Sequence, residues 1–259
     1  MDLVSLALAA LGGGLVGFLL TLFGGGGSVL ATPWLVYVVG IADAHAAIGT
    51  SAAAVAVNAM TGLAAQARAG RVKWPCASVF AAAGLSGALI GAQLAQQVSG
   101  AALLKWFAVA MIVIAASMLV PRKGEGDPGV RITWPIVVRL APLGFAAGLA
   151  AGFFGIGGGF LIVPGLVGST GMPILNAIGT SLVAVTAFGF TTALNYALSG
   201  LVDWPLAFVF IGGGVIGSVF GTRIAKRLAG TTGRLTTVFA VLIFVVAAYM
   251  LSRSVSALA

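Results

Sequence analysis

The chain reads as long apolar runs separated by short polar breaks. The runs cover roughly 3–23, 28–41, 45–67, 75–97 and 102–120, then 133–154, 158–169, 173–197, 204–226 and 234–252. None alternates polar and apolar positions as a barrel strand would. A helix needs about 20 apolar residues to cross the hydrocarbon of a bilayer. Eight of these runs meet that length, and the second run of each set of five does not. Each short run follows a glycine cluster and holds a proline, Pro33 or Pro164. Twelve residues at helical rise span only about 18 Å. We therefore expect each short run to be a broken helix held inside the protein, because lipid does not tolerate unpaired backbone.

The second five runs repeat the first. Gly24-Gly25-Gly26-Gly27 through Pro33 matches Gly155-Ile156-Gly157-Gly158 through Pro164. Ile48-Gly49-Thr50-Ser51 matches Ile178-Gly179-Thr180-Ser181, and Gly70, Trp74 and Pro75 match Gly200, Trp204 and Pro205. Gly84, Gly87 and Gly91 match Gly214, Gly217 and Gly221, and Phe107-Ala108-Val109 matches Phe239-Ala240-Val241. A single pair means little in an Ala/Gly/Leu-rich chain, but an ordered series at an offset near 130 is a repeat. The division it predicts is 1–121 for the first repeat, 122–131 for a linker and 132–259 for the second.

Composition narrows the class. The 259 residues are 60% hydrophobic and 7% charged, with a mean hydropathy of +1.16. Soluble domains carry about 25% charged residues, so this is an integral membrane protein in contact with the lipid bilayer. One cysteine (Cys76) and one histidine (His45) leave almost no room for disulfide, metal or triad chemistry. No cofactor is called for. The net charge of +8 sits in loops between apolar runs, which is a topology signal rather than a nucleic-acid surface. The first run starts at Leu3 behind Asp2 without a basic leader, which reads as a retained span.

Charge also relates the halves. Arg68, Arg71 and Lys73 follow the third run of the first half, and the matching 199–203 loop holds no base. After the fourth run the bias reverses: 96–100 is uncharged, whereas Arg223, Lys226, Arg227 and Arg234 occupy the second half. Cytoplasmic loops collect Lys and Arg, so matching loops face opposite sides. The predicted fold is an all-α polytopic membrane protein of two inverted repeats, each of about five helical elements. Loops 68–73, 121–131 and 226–234 would lie inside and both termini outside.

Broken helices at matching positions of inverted halves point to a transporter's central site. A helix that starts in mid-membrane exposes backbone N–H groups and a partial positive charge, which attract an anion without an ionised side chain. The candidates are Gly25, Gly26, Gly27 and Ser28 with Gly157, Gly158 and Gly159, and then Gly49, Thr50 and Ser51 with Gly179, Thr180 and Ser181. Asn58 lies about 12 Å beyond Thr50 along its helix, and its repeat mate is Phe188, so the polar groups are not symmetric. Each has a plainer reading: glycines permit close helix packing, hydroxyls cap helices, and a buried Asn bonds to a neighbouring helix. Close packing is the expectation for Gly84, Gly87, Gly91 and Gly212–Gly217. Asp43, His45 and Asp203 fall near span ends, where an interfacial role is expected rather than a proton relay.

These residues resemble the TauE/SafE sulfite exporter family, also called the toluene sulfonate uptake permeases. The likeness rests on the glycine turn followed by Pro33 and Pro164, on Ala-Ile-Gly-Thr-Ser, and on the Trp-Pro start of the next span. It covers both halves. It implies a multi-pass permease of the bacterial inner membrane carrying small anionic substrates such as sulfite or organosulfonates, most simply as an exporter. Helix N-termini and hydroxyls suit such an oxyanion, whereas a buried Arg would be costly in the membrane. A passive anion channel is the alternative. An intramembrane enzyme would need paired acids or a nucleophile on facing helices, and the five acids lie mostly in loops. The sequence carries no ATP-binding Gly-x4-Gly-Lys-Ser/Thr loop, and it leaves the oligomeric state open.

Overall fold

The computed structural model describes residues 3–119, 126–127, 129–130, 132–155, 159–227 and 232–256. Among them the structure is helical, without strands. Helix α1 is Leu3–Phe23, and the second element follows it without a gap as a tight 3-10 segment Gly24–Leu30, a short α2 Ala31–Trp34 and a wide π turn Leu35–Val39. The first half continues with α3 Ala44–Arg68, α4 Trp74–Gln96 and α5 Gly100–Leu119. The second comprises α6 Trp134–Phe154, α7 Gly159–Thr170, α8 Ile174–Leu198, α9 Trp204–Arg227 and α10 Thr232–Ser256. Among the described residues, six helical stretches are long and apolar enough to cross a membrane. The chain is an all-α polytopic membrane protein.

Local chemistry sets the ends of these elements. Asp43 caps α3 by accepting from the His45 N–H at 2.9 Å, and Asp203 caps α9 by accepting from the Leu206 N–H at 3.1 Å. Pro75 and Pro135 occupy the first turns of α4 and α6, where a missing N–H costs nothing. Glycines with positive φ end the matched helices in pairs: Gly24 and Gly155 (both 67°), Gly40 and Gly171 (89° and 70°), Gly70 and Gly200 (68° and 69°). The left-handed conformation is costly for any residue with a Cβ, so these pairs are the backbone form of the sequence repeat.

The halves pack across one another rather than each on itself. Helix α1 packs on α9 and α6 on α4; α3 packs on α8 and α5 on α10. Exchanging the halves maps this set of pairs onto itself. The α3–α8 pair forms the centre, Ala-rich and largely buried, and the α5–α10 pair lies outside it.

The α1–α9 and α4–α6 seams are glycine seams, as the spacing of Gly84, Gly87 and Gly91 and of the 212–217 cluster predicts. A Cβ on Gly13 or Gly17 would strike the backbone of Phe210 or Gly214, and one on Gly213 or Gly217 that of Ala10 or Gly14. On the other seam Gly148 faces Gly84, Gly152 faces Ala88, and Gly87 and Gly91 face Phe145 and Leu149. With no hydrophobic force between helices in lipid, this close backbone contact supplies the dispersion energy that holds the halves together. Gly212 stands apart, because a Cβ there meets nothing within 4 Å.

The short elements differ from expectation in one respect. The second element of the first half runs from Gly24 to Val39 rather than 28–41, and its four glycines are themselves helical. Tertiary contact overrides the low helix propensity of glycine here. Gly27 sits so close to Leu19 and Leu20 of α1 that no side chain fits, and the Trp34 indole N–H donates to the Leu8 carbonyl at 2.8 Å in space left by Gly12. In the second half, α7 continues through Pro164.

Candidate functional site

The glycine turn of each half meets the Gly-Thr-Ser run of the other. The Gly25 N–H points to the Ser181 Oγ at 3.4 Å, and a Cβ on Gly24 would come within 2.7 Å of the same oxygen. In mirror fashion the Ser51 Oγ lies 3.5 Å from the Gly155 carbonyl oxygen, and Gly155 rests on Ile48. Ser51 also shares a hydrogen bond of 2.8 Å with Thr32 of α2. Each serine donates to the carbonyl three residues before it, Ile48 at 2.9 Å and Ile178 at 2.8 Å. Ser28 reaches the Gly25 carbonyl at 2.6 Å, and Gly24 to Leu30 are buried throughout. The 3-10 segment of the first half also packs on α7 of the second.

The Gly-Thr-Ser runs do not open their helices. Thr50 lies six residues past Ala44, the first residue of α3, and Thr180 six past Ile174, the first of α8. The threonines instead serve the next helix of the opposite half. Thr50 Oγ1 accepts from the Asp203 N–H at 2.9 Å, just before α9, and Thr180 Oγ1 accepts from the Lys73 N–H at 3.0 Å, just before α4. Gly49 and Gly179 let those loops come close: a Cβ on Gly49 would strike the Leu201 carbonyl oxygen, and one on Gly179 would sit 3.1 Å from that of Arg71. The Asn176 amide donates to the same Arg71 carbonyl at 3.2 Å.

Asn58 is fully buried on α3, and its amide lies against Gly214 of α9. Gly26 and Gly27 fall within the buried 3-10 segment, and Gly159 is the first residue of α7. Gly157 and Gly158 lie outside the described residues. Asp43, His45 and Asp203 sit at helix ends: the His45 Nε2 is 3.2 and 3.1 Å from the carbonyl oxygens of Ala95 and Val98, where α4 stops. Their bonds tie off helix termini.

Sequence reasoning missed Thr32, Thr21 and Ser218, all buried. Thr32 follows Ser28 by one helical turn, so a polar stripe on an apolar element was there to be found. Thr21 and Ser218 each donate to the Gly17 carbonyl, at 2.9 and 3.2 Å, and isolated hydroxyls inside apolar runs carry no comparable signal.

The family model described as "Sulfite exporter TauE/SafE" matches residues 9–250. The chain belongs to the TauE/SafE family. It is 45% identical over 259 residues to a "Probable membrane transporter protein" of Xylella fastidiosa, covering 98% of each chain. It is 24% identical to the "Probable membrane transporter protein YunE" of Bacillus subtilis, over 90% of this chain and 92% of that one. A plant member, "Sulfite exporter TauE/SafE family protein 3" of Arabidopsis thaliana, shares 26% identity over 53% of this chain and 28% of its own length. No solved structure matches. Membership makes this TauE/SafE chain a membrane transporter, and the crosswise serine–glycine contacts lie at the motifs that carry the resemblance.

Proposed function

We propose that the chain is a secondary transporter of small sulfur-containing anions such as sulfite or organosulfonates, working as an exporter in the bacterial inner membrane. The observation that carries this reading is the crosswise contact of Ser181 with Gly24 and Gly25 and of Ser51 with Gly155. Residues 1–121 and 132–259 form two oppositely oriented repeats joined by a cytoplasmic linker at 122–131, with both termini periplasmic. The exchange symmetry of helix pairing supports the two repeats, and the reversed charge of matching loops supports their opposite orientation.

The anion sits where the two glycine turns meet the opposite serines, against Gly25–Ser28, Ser51, Gly159 and Ser181. Its path runs on past Asn58, about 10 Å further along α3, while Gly49, Thr50, Gly179 and Thr180 hold the loops that frame the site. Each serine hydroxyl exchanges its carbonyl partner for an anion oxygen, and backbone N–H groups at the breaks supply the rest. Hydrogen bonds to an anion are about twice as strong as those between neutral groups, so the exchange is favourable when cargo is present and reverses when it leaves. Rocking of one half on the other opens the site to each side in turn. The inside-negative potential favours exit of an anion by about 2.3 kcal/mol per charge per 100 mV, so export needs no nucleotide.

Flux of sulfite from proteoliposomes tests the reading. Saturable flux with counterflow is expected of such a carrier. Non-saturating conductance would make the protein a channel, and no flux of sulfite or any sulfonate would remove the proposed function.

A further inference from the structure

Asn58 is 0% exposed, and neither its Nδ2 nor its Oδ1 has a hydrogen-bond partner. Turning the amide over changes nothing, since both ends are bare. Its repeat mate Phe188 rests on Gly84 of α4 just as the Asn58 amide rests on Gly214 of α9, and Gly84 is the mate of Gly214. The two places therefore have the same backbone build and opposite chemistry. The asymmetry continues one helical turn along. Thr21 of α1 and Ser218 of α9 are buried on the Asn58 side, and the matching positions are Gly152 and Ala88. The mirror wedge of α6, α8 and α4 holds a buried hydroxyl, Thr192, where α3 has Gly62. The two wedges thus differ in which polar groups they carry, and among the described residues only the α1–α3–α9 side has a fully buried amide.

Each unpaired buried polar group costs about 1–3 kcal/mol. A leucine would fill nearly the same volume without that cost. We infer that Asn58 contacts the transported molecule, and that this molecule carries a hydrogen-bond donor of its own beside its anionic oxygens. This rests on the transport reading above and narrows its substrate class. A fully deprotonated oxyanion offers acceptors only; it would satisfy Nδ2 and leave Oδ1 bare. Thr21 and Ser218 direct their protons to the Gly17 carbonyl, so their remaining lone pairs accept as well. The matching ligand is a singly protonated oxyanion, or a sulfonate bearing a hydroxyl or amino group.

The test uses the full chain, with ethanesulfonate and 2-hydroxyethanesulfonate as probes that differ by one hydroxyl. Their competition against sulfite flux is measured in liposomes, and their stabilisation of the protein is measured by thermal shift in detergent. The wild type should prefer the hydroxylated probe by about tenfold. Asn58→Leu should bind both probes alike, and its ligand-free melting temperature should hold or rise because two bare polar atoms are gone. Equal competition in the wild type, the same preference in Asn58→Leu, or a fall in its melting temperature would overturn the inference. Should Asn58→Leu not fold, Asn58→Ala repeats the comparison, and the wild-type preference must still appear. Sulfite flux without that preference defeats the Asn58 assignment alone. Thermal-shift preference without any sulfite or sulfonate flux defeats the transport reading alone.

Discussion

The Thr180 hydroxyl oxygen accepts from the Lys73 N–H at 3.0 Å, and so ties the second turn of α8 to the start of α4 in the other half. Thr50 does the same for Asp203 and α9 at 2.9 Å. Both threonines are buried, so losing the acceptor strands a backbone N–H at the foot of a helix. Thr180→Val and Thr50→Val should each destabilise the protein by about 1–2 kcal/mol, with Ser in either place recovering most of the loss. Melting curves in detergent check this. A neutral Val at both positions would show that these bonds do not anchor the crossing helices.

Adjacent glycines on α9 should respond with opposite signs. At Gly213 a Cβ would strike the Ala10 backbone of α1, whereas at Gly212 it meets nothing within 4 Å. Gly213→Ala should force the α1–α9 seam apart and cost about 2 kcal/mol or more. Gly212→Ala should raise stability slightly, by up to about 1 kcal/mol, because alanine loses less backbone freedom in a helix. Thermal denaturation of the two variants side by side decides it.

Much of this architecture was legible in the residues, and the parts that were not share a cause. Apolar run length placed the helices to within a few residues, because lipid imposes one length on every span. The Gly84-Gly87-Gly91 spacing marked a packing seam because only a glycine ridge at helical period has that use. It could not say that α4 seats on α6 rather than on a helix of its own half, since a glycine ridge is equally close to any partner. The Gly24–Gly27 run read as a turn leading into a broken helix; it is itself 3-10 helical, with Gly27 packed against Leu19 and Leu20 where no side chain fits. Thr50 and Thr180 read as caps or ligand contacts of their own helices. Their real acceptor role depends on loops about 107 and 153 residues away in sequence, which periodicity does not encode. The difference between Asn58 and Phe188, by contrast, was visible once the repeat was aligned.

Positive-φ glycines separate backbone strain from the demands of the centre. Gly24 and Gly155 combine φ of 67° with close contact to Ser181 and Ile48, whereas Gly70 and Gly200 have φ of 68° and 69° and open space around them. Alanine at Gly70 or Gly200 should cost about 1 kcal/mol of strain and leave sulfite flux near the wild-type level. Alanine at Gly24 or Gly155 should abolish flux even where protein of normal abundance reaches the membrane. Flux comparable to wild type in Gly24→Ala would place the cargo elsewhere.

The proposed opposite orientation of the repeats makes a prediction at matched loop positions. Ala69 and Ser199 are repeat mates, both exposed, each just before a positive-φ glycine that ends a central helix. Both positions are exposed, so the side from which each reacts reports the side of the membrane rather than burial. In a Cys76→Ala background, Ala69→Cys should react with a membrane-impermeant maleimide only in inside-out vesicles, and Ser199→Cys only in intact cells stripped of outer membrane. The assignment follows from Arg68, Arg71 and Lys73 beside one site and the lack of any base in 199–203 beside the other. Reaction of both from the same side would make the repeats parallel. The crosswise serine–glycine contacts would then no longer stand at the meeting point of oppositely directed helix breaks, and an anion there would lose half of its backbone donors.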